Sequence, residues 1–117
     1  MTSTTEHTKY SDGIRLSHIL SCIHKIDEHI KEQTFDSFMS NKILHIAISK
    51  WIEVIGEAAK NISGALRSKY AEIPWQQMIN LRNHILYEYY EVDYLVVWHT
   101  ALSINNVKQK IEAINLN

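Results

Sequence analysis

A chain of 117 residues has room for one domain with its own core, and 45% hydrophobic against 21% charged residues is a globular balance that excludes a disordered or fibrous polypeptide. Twelve Lys and Arg against 13 Asp and Glu leave a formal charge of -1, so no whole-molecule field draws in phosphate backbones and any nucleic-acid contact has to be local. Three Gly and one Pro are few for a chain of tight turns and argue against an all-β fold.

Residues 1–10 are polar and Thr-rich without periodicity, which predicts a flexible N-terminal arm. A first helix is predicted from "SDGIRLSHILSCIHKIDEHIKEQ", capped by Ser11 or Asp12, with Leu16, Ile19, Leu20, Ile23, Ile26 and Ile30 at helical spacing. Thr34 and Asp36 fall in a short connector whose Phe35 and Phe38 are expected to plug the core, and Ser40 or Asn41 can cap the next helix. That second helix, "KILHIAISKWIEVIGEAAKNIS", is apolar over more than one stripe, which predicts burial on several sides. Gly64 is a natural stop, and "ALRSKYAEI" reads as a polar bridge with room for a helical turn. Pro74 suits the first turn of a third helix carrying Trp75, Met78, Ile79, Ile85, Leu86 and Tyr89. Asp93 can cap a fourth helix that begins at Tyr94 and presents Leu95, Trp98, Ala101, Leu102, Val107, Ile111 and Ile114. The expected fold is a single all-α domain over residues 1–117, an antiparallel bundle of four main helices.

The one cysteine, Cys22, excludes an internal disulfide and suits a reducing compartment, so a cytoplasmic location is expected. The N-terminus lacks an apolar signal region, and the apolar-aromatic run "YLVVW" is far too short to span a bilayer, so neither export nor membrane insertion is expected.

Few positions carry chemistry. His18, Cys22 and His29 share roughly one face of the first helix, but no second ligand pair of conventional spacing accompanies them, so no metal site is expected. Gly56, Ala58 and Ala59 in "IGEAAK" are small residues that let another helix approach closely, which fits core packing first and a dimer seam second. Glu53 and Glu57 stand one turn apart and can pair with Lys50 and Lys60 in a solvated charge ladder. In "LRNHILYEYYEVDYLVVW", a turn of about 100° per residue puts Arg82, Leu86 and Tyr89 on one side, with Tyr87 roughly 140° around from Arg82. By itself this reads as an amphipathic helix with boundary tyrosines and an Arg in a surface ion pair.

The order "IGEAAK", "EIPW", "LRNHILYEYYEVDYLVVW" resembles the HepT-like branch of the HEPN superfamily, over most of residues 12–105. That family's motif runs Arg-Asn, three variable residues, His, one variable residue, Tyr, an aromatic, and after a short linker Asp. Arg82 and Asn83 match its start, Tyr89 its tyrosine, Tyr90 the aromatic and Asp93 the acid. Tyr87 stands where the histidine belongs, and His84 occupies a variable position.

The resemblance implies a HEPN-like helical domain that forms a two-fold homodimer and acts as a metal-independent, cofactor-free RNA endonuclease. It implies the toxin of a toxin–antitoxin pair, whose antitoxin is a minimal nucleotidyltransferase that attaches AMP to the tyrosine at position 89. It places Arg82, Asn83 and position 87 in the catalytic site. Side chains that diverge on one helix, such as Arg82 and Tyr87, can converge across a two-fold axis. Histidine, with an unperturbed pKa of about 6.5, suits proton transfer near neutrality, whereas tyrosine, at about 10, is a poor base. Three readings of Tyr87 stand open: a degenerate natural member that binds without cutting, a change made deliberately to silence a toxic protein, or a site in which His84 does the work.

Overall fold

Along α1 (Thr2–Ile30) the buried residues Asp12, Leu16, Ile19, Ile23, Ile26 and Ile30 recur at steps of three and four, one continuous stripe. The structure, a computed structural model, describes residues 2–87 and 92–116. Among the described residues it is all-helical: α1 is followed by α2 (Phe35–Ser40), α3 (Lys42–Asn61), α4 (Gly64–Lys69), α5 (Trp75–Tyr87) and α6 (Tyr94–Glu112). No helix among the described residues is long and apolar enough to cross a membrane.

Helix α3 is the centre, packed against α1 on one side and α5 on another, while α1 also packs on α6. Helices α1 and α3 run in opposite directions, because Asp12 bonds to Ser63 beyond one end of α3 while the His29 ring lies 5.2 Å from the Trp51 ring. The core joins Ile19, Ile23 and Ile26 of α1, Phe38 of α2, Ile48, Ile52 and Ile55 of α3, and Val97 and Ala101 of α6.

The first helix does not begin at Ser11 or Asp12, and residues 2–10 are helical rather than an arm. That stretch contains no Gly or Pro to stop a helix, and Asp12, read as a cap, is used elsewhere. Its Oδ1 accepts the Ser63 N–H at 2.8 Å and its Oδ2 the Ser63 hydroxyl at 2.7 Å, while the Ser63 Oγ accepts the Leu66 N–H and caps α4.

The connector after α1 is also a helix, because Thr34 and Ser37 form a reciprocal capping box. Its Phe38 is fully buried but Phe35 is not, so one phenylalanine plugs the core and the other lies at its edge, 6.1 Å from the Trp98 ring. Asn41, not Ser40, caps α3 by accepting the Leu44 N–H. Gly64 is not a stop: α3 ends where Ile62 turns extended, and Gly64 opens α4 behind the Ser63 cap. Asp93 does cap α6, accepting the Leu95 N–H at 3.0 Å. Burial on several sides holds for the C-terminal half of α3, whereas Ile43 and Ile46 near its start are 81% and 71% exposed. On α6, Val97 and Ile104 are buried, and the expected Leu95 and Leu102 are exposed.

Candidate active site around Arg82

The close approach that "IGEAAK" offers is taken up by α5. A β-carbon on Gly56 would overlap Arg82 Cβ and come within 2.8 Å of the Met78 carbonyl oxygen, so only glycine lets the two helices meet here. This contact sinks the base of the Arg82 side chain into the α3/α5 seam, leaving the side chain 15% exposed.

The guanidinium head then finds polar company. Arg82 Nη2 lies 2.8 Å from Oε2 of Glu57 on α3, and Nη1 donates to Oδ1 of the neighbouring Asn83 at 2.9 Å. The buried Nε has no hydrogen-bond partner among the described residues. The second carboxylate oxygen of Glu57 accepts from Asn61 Nδ2 at 3.2 Å, and the same Asn61 amide donates to the Glu57 carbonyl at 2.9 Å.

Arg82 and Glu57 face a cleft of about 650 Å³ between α1 and α3, whose other charged or titratable walls are Arg15, His18, Lys50 and Glu53. The expected ladder of Glu53 and Glu57 is therefore half right. Lys50 pairs with Glu53 at 3.3 Å, but Glu57 reaches across to Arg82 instead of taking Lys60. Equally, the ion pair of Arg82 is not an ordinary surface one, since the arginine is largely withdrawn from water.

The other motif residues are divided. Asn83 is partly buried and holds the guanidinium. His84 lies elsewhere: its Nε2 accepts the Asp93 N–H at 3.2 Å, and it lines a separate cleft of about 580 Å³ between α5 and α6 with Leu81, Asp93 and Val96. Tyr87 ends α5, but its side chain, like Tyr89 and Tyr90, lies outside the described residues. Any approach of Arg82 to the Tyr89 ring also falls outside them.

Among the described residues no three His, Cys, Asp or Glu side chains gather as metal ligands would. His29 bonds through Nδ1 to the Lys25 carbonyl at 2.7 Å, and Cys22 is buried, its thiol pushed up from the ordinary range by desolvation and drawn back only partly by Lys25.

Reading the sequence missed Glu57 as a partner of Arg82, together with the α1 wall of the cleft. One signal was present: the small residues at 56, 58 and 59 announced a close helix without saying which. Helical periodicity shows which face is buried, never against what.

A helical domain that fixes a forked cation at the edge of a polar cleft is equipped to receive an anion. The model of a protein family described as "Ribonuclease HepT-like" matches residues 19–114, and the chain belongs to that family. It is 37% identical to a putative RNase of Methanocaldococcus jannaschii, over 82% of this chain and 84% of the relative. It is 34% identical to a probable ribonuclease HepT of Thermococcus cleftensis, over 85% and 91% of the two. A putative RNase of Caldanaerobacter subterraneus subsp. tengcongensis is 31% identical over 85% of this chain and 89% of the relative. No solved structure matches the chain significantly.

Proposed function

We propose that this protein is an endoribonuclease of the HEPN type, the toxin of a toxin–antitoxin pair, working in the cytoplasm without metal or cofactor. The observation that carries the reading is Arg82, a largely buried guanidinium held by Glu57 and Asn83 at a cleft, in a chain whose relatives are named as ribonucleases.

In the reaction the 2′-hydroxyl of RNA attacks the adjacent phosphorus. Its proton passes to a base, the P–O5′ bond breaks, and an acid protonates the departing 5′-oxygen, leaving a 2′,3′-cyclic phosphate. Arg82 steadies the charge that builds on the phosphorane, and Asn83 keeps the guanidinium oriented. Position 87 is the proton-transfer position, where Tyr87 is a weak substitute for histidine. The long helices α1, α3, α5 and α6 form an antiparallel bundle, and two copies pair about a two-fold axis that brings position 87 of one protomer toward Arg82 of its partner. A minimal nucleotidyltransferase acts as antitoxin by attaching AMP to Tyr89, setting an anion where the RNA phosphate would sit.

Tyr87 favours a second reading, in which the domain engages its nucleotidyltransferase or RNA without cleaving. Incubating RNA with the purified chain, with Tyr87→His and with Arg82→Ala separates the two. Cleavage that needs Arg82, in the unaltered chain or after Tyr87→His, supports the nuclease; binding with no cleavage by any version supports the module. Peptide mass spectrometry after incubation with ATP and the partner enzyme tests the modification, with AMP expected on Tyr89 and refuted there by AMP on another residue alone.

A further inference from the structure

We propose that Glu57 is an internal occupant of the anion position at Arg82, so that a phosphodiester reaches the guanidinium only by displacing this carboxylate. The inference rests on the reading of Arg82 as the residue that holds RNA phosphate. It adds a residue of α3 that decides which anions the site accepts.

Of the two groups bonded to the guanidinium among the described residues, Asn83 is neutral and adjacent in the chain, whereas Glu57 carries a charge and comes from another helix. Glu57 is 52% exposed and Arg82 only 15%, so the carboxylate stands on the solvent side of the cation. An anion entering from the cleft meets it first, at the nitrogen it would itself need.

Glu57 is also built to leave. Its bond to Arg82 is a single contact from Oε2, and its Oε1 already accepts from Asn61 Nδ2 one turn along α3. When Oε2 lets go, Asn61 keeps the carboxylate hydrogen-bonded in a half-exposed position where water completes its shell. Because the arginine itself is largely buried, the carboxylate gives way only to another anion that restores its charge partner. A phosphodiester offers two non-bridging oxygens to the fork and replaces one charge-assisted hydrogen bond with two. A small monovalent anion such as chloride gains nothing by the exchange, so the carboxylate screens the site against common ions while leaving it open to a polyanion. Arg15 on the cleft wall favours the same class of ligand, a nucleic-acid backbone, whereas Lys50 is already paired with Glu53.

The test is binding of a fluorescently labelled single-stranded RNA at one fixed, low salt concentration, using the full chain, Glu57→Gln, Glu57→Asp, Arg82→Gln and the Glu57→Gln/Arg82→Gln double variant. Circular dichroism checks the helical content of each. Glu57→Gln is expected to bind about three- to tenfold more tightly than the unaltered chain. Glu57→Asp keeps the charge but withdraws it by one methylene, so it should also tighten binding, which a mere reduction of negative field would not explain. Both gains should vanish when Arg82 is Gln. Equal or weaker binding by folded Glu57→Gln and Glu57→Asp overturns the proposal, because a carboxylate that only positions Arg82 would be missed when altered. Equal binding by Arg82→Gln and the unaltered chain overturns instead the assignment of Arg82 to phosphate.

Discussion

Gly56 lies directly against Arg82, close enough that a single added methyl would strike the Arg82 β-carbon and the Met78 carbonyl. The residue that lets α3 and α5 touch is thus next in sequence to Glu57, which holds the arginine's charged end. Backbone packing and site geometry are one feature here.

Gly56→Ala should therefore be harmful, although alanine is the better helix former by about 0.8–1.0 kcal/mol. The Met78 oxygen belongs to the backbone and cannot swing aside, so the helices must part. An overpacking cost of about 1–3 kcal/mol is expected, outweighing the propensity gain in most of that range. Urea unfolding would show a lower midpoint with unchanged slope, and any Arg82-dependent RNA binding should weaken with it.

Asp12 is 4% exposed, and its carboxylate satisfies both the N–H and the hydroxyl of Ser63. Asp12→Ala leaves the Ser63 hydroxyl and N–H without their acceptor and should cost about 1–3 kcal/mol. Ser63→Ala keeps the N–H bond but loses the α4 cap and leaves the buried Asp12 Oδ2 without its donor, so a cost of about 1–3 kcal/mol is expected there too. Unfolding midpoints of both variants should fall below that of the unaltered chain.

Burial raises the Cys22 thiol above its ordinary value, with a smaller opposing pull from Lys25. A raised folded-state pKa means that the unfolded chain loses this proton first, so stability is full below the unfolded value of about 8.5 and declines as pH rises from there toward the folded value. Cys22→Ala should remove this alkaline decline. With Cys22 in place, a thiol reagent at neutral pH should react far more slowly with folded than with urea-unfolded protein.

Restoring the proton-transfer group by Tyr87→His should raise RNA cleavage by on the order of 100- to 10,000-fold, and Arg82→Ala in that background should abolish the gain. The pH–rate profile of the restored protein should show a limb in the neutral range, where histidine titrates. Loss of cleavage by His84→Ala with Tyr87 in place would point away from position 87 and to His84, which is tied to the Asp93 backbone at the separate α5/α6 cleft.

The helical class was legible because periodicity is local: Leu16 to Ile30 on α1 and the Asp93 cap on α6 lie where their spacing put them. The ends of elements were less so. Asp12 looks like an N-cap in sequence, but a carboxylate serves any N–H it can reach, and the fold brings it the one on Ser63, 51 positions away. Phe35, Ile43, Ile46, Leu95 and Leu102 share the composition of core residues and yet lie exposed, because hydrophobicity cannot choose among faces when several are apolar.

By itself the sequence determined the helical class, the Arg82-Asn83 start of the motif and the family that carries it, since these rest on residue type and short spacing. Only the tertiary structure decided that Glu57 meets Arg82, that Gly56 makes room for it, and that His84 faces another cleft. Helix faces are fixed by a turn of about 100° per residue, but their partners are chosen by the packing of the whole chain.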